Sequence, residues 1–449
     1  MKLKNKAVAI LLGGALAVVT SLSLADKGGL RSQEYANKHN AKQSEWIYEG
    51  VKTLSTDRKI KHYSWLHKVG DGPYDMIRVH RYVRQANNKD ARPRLAAVNK
   101  RKVLFVINGT WGQEGPEPLK EFDSYYFPKN GYDLWTMDFR TAFIPNLAYE
   151  QFEEKGESEG LLSTAGWTYS VFREDIKQAV NFAKHTSRAR KVFLAGRSRG
   201  GSQAFIYAAK YAKDLKGIIG LDGGPVYQAI ENPELQQPES AYRAALQGLA
   251  SGLSGLALLN QVSGYENSRL IGALPNVLSP IGAPLPSEAE LPFGPPPNGL
   301  SITNLADLSA YESYWLGGAG LVTNIYTLYP GGEGETYMDQ EALSLARANY
   351  SRYWPFVQNL ESSFLAGYAD NPYLDYDDTQ DITLPVIHFV GDFGCPMGSC
   401  LDLHRPYSTS SSDFSVKYLP GFGHLDIYYG THSESDVKKP MLEWMNERL

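Results

Sequence analysis

The stretch VFLAGRSRGGSQAFIYAA, residues 192–209, decides the fold. Its first four residues are apolar, and its last seven carry apolar positions at helical spacing. A buried strand therefore runs straight into a helix, with Gly196, Gly200 and Gly201 at the corner. Gly196-Arg197-Ser198-Arg199-Gly200 fits G-x-S-x-G, in which a serine stands on a sharp, strained strand-to-helix turn with its hydroxyl exposed. Such a turn needs small neighbours, and the glycines supply them. The five-residue pattern alone is weak. In this strand–turn–helix setting Ser198 reads as a nucleophile.

The surrounding chain repeats the alternation of strand and helix. KVLFVING (102–109) and YDLWTMDFR (132–140) read as strands, and YSVFREDIKQAVNFAKHT (169–186) as a helix with Val171, Ile176, Val180 and Phe182 at helical spacing. KGIIGLD (216–222), LPVIHFVG (384–391) and FSVKYLP (414–420) read as further strands, and ESDVKKPMLEWMNERL as a closing helix. Upstream, IKHYSWLHKVG and YDMIRVHRYV alternate around Asp71-Gly72-Pro73 and read as an antiparallel pair. Strand–helix alternation predicts an α/β protein with a mainly parallel sheet covered on both faces. The 161 residues between Asp222 and Leu384 differ in composition and include the Pro/Gly-rich SPIGAPLPSEAELPFGPPPNG (279–299). That interval is too long for a bare loop, and sheet-like strands resume after it. It reads as a cap inserted at 226–383, between core segments 26–225 and 384–449.

A serine hydroxyl needs a base to become reactive. Of the nine histidines, only His424 lies on a late Gly-rich loop, in LPGFGHLDIYYG. His388 falls inside an apolar strand and reads as a core residue; His62, His67 and His80 lie on the early strands. Two aspartates satisfy the order serine, acid, histidine. Asp222 ends the strand at 216–222, and Asp392 follows the strand at 384–391. An acid three residues beyond Gly391 would fall at Gly394, which has no carboxylate. Asp222 is taken as the acid, with Asp392 as the alternative. An oxyanion hole needs two backbone N–H groups. One is expected at Arg199 and the other at Thr110 or Trp111, in the loop after KVLFVING.

These parts resemble the α/β-hydrolase superfamily over about residues 60–225 and 384–448. The resemblance rests on the serine turn, the 109–112 loop, MDFR after the second parallel strand, and GFGHLD near the end. It implies a sheet of about eight strands with a cap after the sixth. It also implies a serine esterase or lipase-like enzyme that needs no cofactor and no metal. An aspartate nucleophile, as in the haloalkane dehalogenases of that superfamily, is excluded by Ser198.

The N-terminus reads as a removable leader. Three lysines precede an apolar run from Ala7 to about Val19, and Ser23-Leu24-Ala25 fits a cleavage site. Residues 1–25 are expected to be lost on export to a secreted or periplasmic location. Loss of Lys2, Lys4 and Lys6 moves the formal charge from −4 to −7, and neither value suggests a nucleic-acid partner. No later segment reads as a membrane span. Cys395 and Cys400 are the only cysteines, and an exported chain would pair them in a disulfide that holds one short loop. The acidic run DNPYLDYDDTQD (370–381) lacks the glycine and final glutamate of a calcium loop and reads as solvated. Arg197 and Arg199 could meet an anionic substrate or pair with nearby acids. The expected reaction is hydrolysis of a small-molecule or lipid ester through an acyl-enzyme. A peptidase or amidase, or a silent binding protein of the same fold, is the alternative. Substrate identity and oligomeric state are not encoded in these patterns.

Overall fold

Five-residue apolar runs such as VLFVI have no polar face, so they must be buried on both sides, and the chain builds two cores around them. In the computed structural model the described residues are 46–85, 102–110, 112, 123–145, 163–224, 330–331, 335–336, 355, 358, 381–391, 410–420 and 422–449. The strands are β1 (Trp46–Thr53), β2 (Ile60–Lys68), β3 (Met76–Arg84), β4 (Val103–Ile107), β5 (Asp133–Asp138), β6 (Val192–Arg197), β7 (Leu215–Leu221), β8 (Val386–Val390) and β9 (Phe414–Tyr418). They form one nine-stranded sheet in the order β1-β2-β3-β5-β4-β6-β7-β8-β9. The first three strands and the β3–β5 junction are antiparallel, and every pairing from β5 to β9 is parallel. Strand β1 adds an edge to the expected eight.

Side chains alternate along each parallel strand between two cores. On one face Val103, Phe105 and Ile107 of β4 pack with Trp135, Met137, Val192 and Leu194. That face is covered by α2 (Tyr169–Ser187) and α3 (Arg199–Tyr211), through Phe172, Ile176, Val180, Phe205 and Ala208. On the other face Leu104, Val106, Phe193 and Ile219 pack with residues of α1 (Asp123–Lys129), α4 (Asp426–Tyr429) and α5 (Lys439–Glu447). Helix α2 starts where Thr168 Oγ1 accepts the Val171 N–H at 3.3 Å, and it ends at Arg188 in the left-handed region. Its buried stripe includes Phe172, Ile176, Ala179, Val180 and Ala183, whereas Val171 is only partly buried.

Among described residues of the interval expected to be a cap, Pro330–Gly331 pairs antiparallel with Glu335–Thr336. Gln358, fully buried, ties that interval to the core. Its amide donates to the Trp167 carbonyl at 3.0 Å, and its carbonyl oxygen accepts from Gln203 of α3 at 3.4 Å.

A buried ion pair locks the antiparallel half of the sheet to the parallel half. Arg81 donates from Nε and Nη2 to the two oxygens of Asp133, each at 2.8 Å, and both residues are essentially inaccessible. Ser187 Oγ donates to Asp133 Oδ2 at 2.5 Å and accepts from Trp135 Nε1 at 3.0 Å. Arg81→Leu would leave Asp133 buried and without its cation. Denaturant unfolding is expected to show a loss of about 3–5 kcal/mol.

Candidate active site

The carboxyl ends of the parallel strands all open at one edge of the sheet. Chain order reverses there, because β5 lies on one side of β4 and β6 on the other. The crevice outside such a reversal is where open α/β sheets place their ligands. Ser198 follows β6 and the 108–110 segment follows β4, so both border it.

Ser198 adopts φ 52° and ψ −127°, a conformation that L-residues rarely take. Strain of this kind costs on the order of 1–3 kcal/mol and persists only where the surroundings enforce it. Here the Ser198 N–H donates to the Leu221 carbonyl at 2.9 Å, and the Ser198 carbonyl accepts the Gly201 N–H at 2.8 Å. The chain after β7 passes so close that a Cβ on Gly223 would run into the Ser198 carbonyl, and one on Gly201 into the Gly223 carbonyl. Those two glycines are therefore required by contact across the turn. The loop after β4 comes equally near. A Cβ on Gly109 would lie 2.9 Å from Ser198 Cβ and 3.6 Å from its Oγ. Ser198 itself stays partly exposed.

Asp222 is the next residue in a left-handed conformation, with φ 42°. Its N–H donates to the Phe389 carbonyl at 2.8 Å, which extends the β7–β8 ladder by one step. The carboxylate is buried and held at both oxygens. Oδ1 accepts the Gly391 N–H at 3.0 Å, and Oδ2 lies 2.6 Å from His424 Nδ1. His424 is buried at 3% exposure on the loop between β9 and α4. A carboxylate at Nδ1 makes that nitrogen the N–H and leaves Nε2 as the basic one in the neutral ring. The structure thus joins His424 to Asp222 across 202 positions of chain.

The aromatic residues after His424 brace the turn. Tyr428 Oη donates to the Leu221 carbonyl at 2.7 Å, the same oxygen that accepts the Ser198 N–H. The Tyr428 ring lies edge-on to the His424 ring at 5.6 Å. Burial, reinforced by Asp222, pushes the Tyr428 phenol well above its ordinary pKa, so it remains a donor. Arg197 pairs with Asp123 of α1 at 2.6 Å and lies over the Tyr428 ring at 5.7 Å, so a local acid claims it. Arg199 opens α3 and is partly exposed. Tyr428→Phe removes one buried hydrogen bond from this brace. It is expected to lower stability by about 1–2 kcal/mol in urea unfolding.

Of the oxyanion candidates, Thr110 lies in the turn closed by the Gly112 N–H on the Gly109 carbonyl at 3.0 Å, beside Ser198. Trp111, Asp392, Cys395 and Cys400 lie outside the described residues. Other described histidines have different surroundings. His388 is buried in β8, where its ring fills the space against Gly220. His62 Nε2 and His80 Nδ1 lie 2.9 Å apart, and His80 Nε2 is 3.0 Å from Asp138. Burial, with His80 beside it, holds the His62 imidazole well below its usual pKa. His67 bonds Gln178 of α2 at 2.6 Å. Among the described residues no group of three or more His, Cys, Asp and Glu is placed to hold a metal. No described helix is long and apolar enough to cross a membrane.

The nine-stranded sheet with helices on both faces has counterparts among solved structures. A crystal structure from Sulfolobus solfataricus, described as that of a candidate lipase, aligns over 90% of this chain and 99% of its own, with TM-score 0.55 and 22% identity. The chain has the α/β-hydrolase fold. A carboxylesterase structure from Nitrososphaera gargenis aligns over 88% of this chain and 99% of its own, at TM-score 0.40 and 12% identity. A monoglyceride lipase from Saccharomyces cerevisiae aligns over 89% and 94%, at TM-score 0.38 and 14% identity. At those scores neither adds to the assignment. No family profile matches the chain, and no curated protein does.

Within this α/β-hydrolase fold, two residues near the site escape a motif-based reading: Asp426 and Tyr428. The signal for Asp426 was present. It stands three positions after Gly423, a spacing at which a short acidic side chain can reach back to a backbone N–H. Nothing in the spacing marks Tyr428, whose partner lies more than two hundred positions away.

Proposed function

We propose that the chain is a serine hydrolase that cleaves carboxylic esters of small molecules or lipids through an acyl-enzyme. The observation that carries this reading is the 2.6 Å contact between His424 Nδ1 and the buried Asp222, beside a serine in a strained turn. With Nδ1–H directed at the carboxylate, Nε2 takes the Ser198 proton as Oγ attacks the ester carbonyl. Backbone N–H groups at Arg199 and at Thr110 or Trp111 hold the oxyanion, the arrangement that contributes most to such reactions. The imidazolium then protonates the leaving alcohol. Water, deprotonated by the same nitrogen, releases the acid and frees Ser198. Asp222 keeps the ring in the correct tautomer and steadies its positive charge. The interval 226–383 would form the substrate pocket.

The test uses the folded chain with a fluorophosphonate probe and a panel of nitrophenyl esters of rising acyl length. Labelling at Ser198 together with ester turnover is expected. A probe that labels nothing, with no turnover of any ester, overturns the reading. Turnover of aminoacyl nitroanilides at rates matching the esters would replace it with an amidase. We further propose export with removal of residues 1–25. A mature chain recovered from the producing cell is then expected to start at Asp26, and a chain retaining Met1 would refute this.

A further inference from the structure

We infer that Asp426 is a positioning residue for His424, acting by clamping the backbone of the loop that carries the imidazole. The inference rests on the serine-hydrolase reading above. Asp426 Oδ2 accepts the Gly423 N–H at 2.7 Å, the amide immediately before His424. The carboxyl therefore closes a ring of four residues with His424 inside it. The same loop is pinned from outside: a Cβ on Gly391 would run into the Phe422 carbonyl, and Gly391 is the residue whose N–H holds Asp222. One short segment thus registers both the acid and the base.

Asp426 has 0% exposure, and among the described residues its Oδ1 has no hydrogen-bond partner. A carboxylate in that position would be an uncompensated buried charge, which folded proteins avoid by keeping the proton. Burial accordingly pushes its pKa up to about 8, while the Gly423 N–H pulls the other way. The charged and titratable groups around the loop are engaged elsewhere. His424 faces Asp222, Arg197 faces Asp123, Tyr428 donates to Leu221, and Lys438 Nζ donates to the Tyr428 carbonyl at 3.5 Å. The clamp is therefore neutral at pH 7 and becomes charged as pH rises past about 8.

The sign of the linked stability follows from proton counts. Between the unfolded carboxyl pKa and about 8 the folded chain binds more protons at this site than the unfolded chain, so stability falls as pH rises through that window. Above it the penalty is constant, and a buried charge with an unpartnered oxygen favours opening of the loop that holds His424 to water.

The experiment measures the second-order rate of fluorophosphonate labelling at Ser198 from pH 6 to 10. It uses wild type, Asp426→Asn and Asp426→Ala, with folding checked by near-ultraviolet circular dichroism. Labelling reads the reactivity of Ser198 without needing the natural ester. Wild type is expected to lose roughly fivefold in rate between pH 7 and 9.5. Asp426→Asn keeps an acceptor that cannot ionise, so its profile, normalised to its own rate at pH 7, should lack that fall. Asp426→Ala, with no acceptor, should label about tenfold or more slowly throughout, because a displaced base loses its alignment. A wild-type profile flat above pH 8 overturns the clamp even if neither variant folds. So does Asp426→Ala labelling at the wild-type rate, or Asp426→Asn retaining the alkaline fall. Wild type that labels at no pH would instead sink the serine-hydrolase reading, and the clamp with it.

Discussion

Ser198→Ala is expected to reduce kcat/KM for a short nitrophenyl ester by a factor on the order of 10⁴ or more, while the unfolding midpoint barely moves. The two halves of that expectation have separate physical causes. The rate falls because water, held at ordinary reactivity, replaces an alkoxide generated within the site; the residual rate measures what the oxyanion amides and binding still contribute. Stability stays because the hydrogen bonds that hold the turn among the described residues are made by main-chain atoms, not by Oγ. The backbone of Ser198 makes them, with the Leu221 carbonyl and the Gly201 N–H. Alanine keeps the Cβ, so the strained conformation at φ 52° is retained and the loop does not relax. The measurement pairs ester turnover with thermal unfolding on the same preparations. A variant that keeps most of its turnover would mean that another group attacks the ester. A variant that loses activity together with several degrees of midpoint would mean that the hydroxyl was structural.

The parallel half of the sheet is legible in the sequence because burial on both faces leaves an unmistakable mark. VLFVI and VFLAG contain no polar residue, and only a strand between two helical layers can bury such runs at that length. The edge is harder to read. In β1, WIYEGVKT, the alternation slips at Gly50, where the pairing register with β2 shifts and φ is 154°. A bulge of this kind breaks period-two patterning without breaking the strand. Helix α1, DSYYFPK, is seven residues long with Pro128 inside it, too short to show helical periodicity. In α2 the expected Ile176, Val180 and Phe182 are buried, and only the first position differs: Phe172 faces the core where Val171 is partly buried.

At the site, residues that sit within one motif were legible, and residues that act on distant segments of the chain were not. Ser198 announces itself because its turn, its strand and its helix are contiguous. His424 stands out through elimination among nine histidines. The acid could be narrowed to two residues, since Asp222 and Asp392 each follow a strand end. Choosing between them requires knowing which carboxylate the His424 loop approaches, a fact set by the packing of that loop against Gly391. The brace from Tyr428 to Leu221 is of the same kind: its energy lies in a contact, and only its donor is a sequence feature.

Asp222→Asn should cost about 10³–10⁴ in kcat with little change in KM, whereas Asp392→Asn should stay within roughly threefold of wild type. The reasoning turns on the second oxygen of Asp222. Oδ1 accepts the Gly391 N–H, so an asparagine at 222 must turn its carbonyl oxygen to Gly391. Its amide nitrogen then faces His424 Nδ1 and donates to it. Nδ1 becomes the acceptor, the proton moves to Nε2, and the nitrogen that should deprotonate Ser198 already carries a hydrogen. The fold tolerates the change because both hydrogen bonds survive with their polarity exchanged at the imidazole. Turnover should therefore fall without a matching fall in unfolding midpoint, and it should recover partially at high pH, where hydroxide can replace the enzymic base. Measuring kcat against pH for both aspartate variants separates the two acids. A deep loss in Asp392→Asn beside a mild one in Asp222→Asn would transfer the role to residue 392, and the 2.6 Å contact at His424 would then be a structural pair rather than the support of the base.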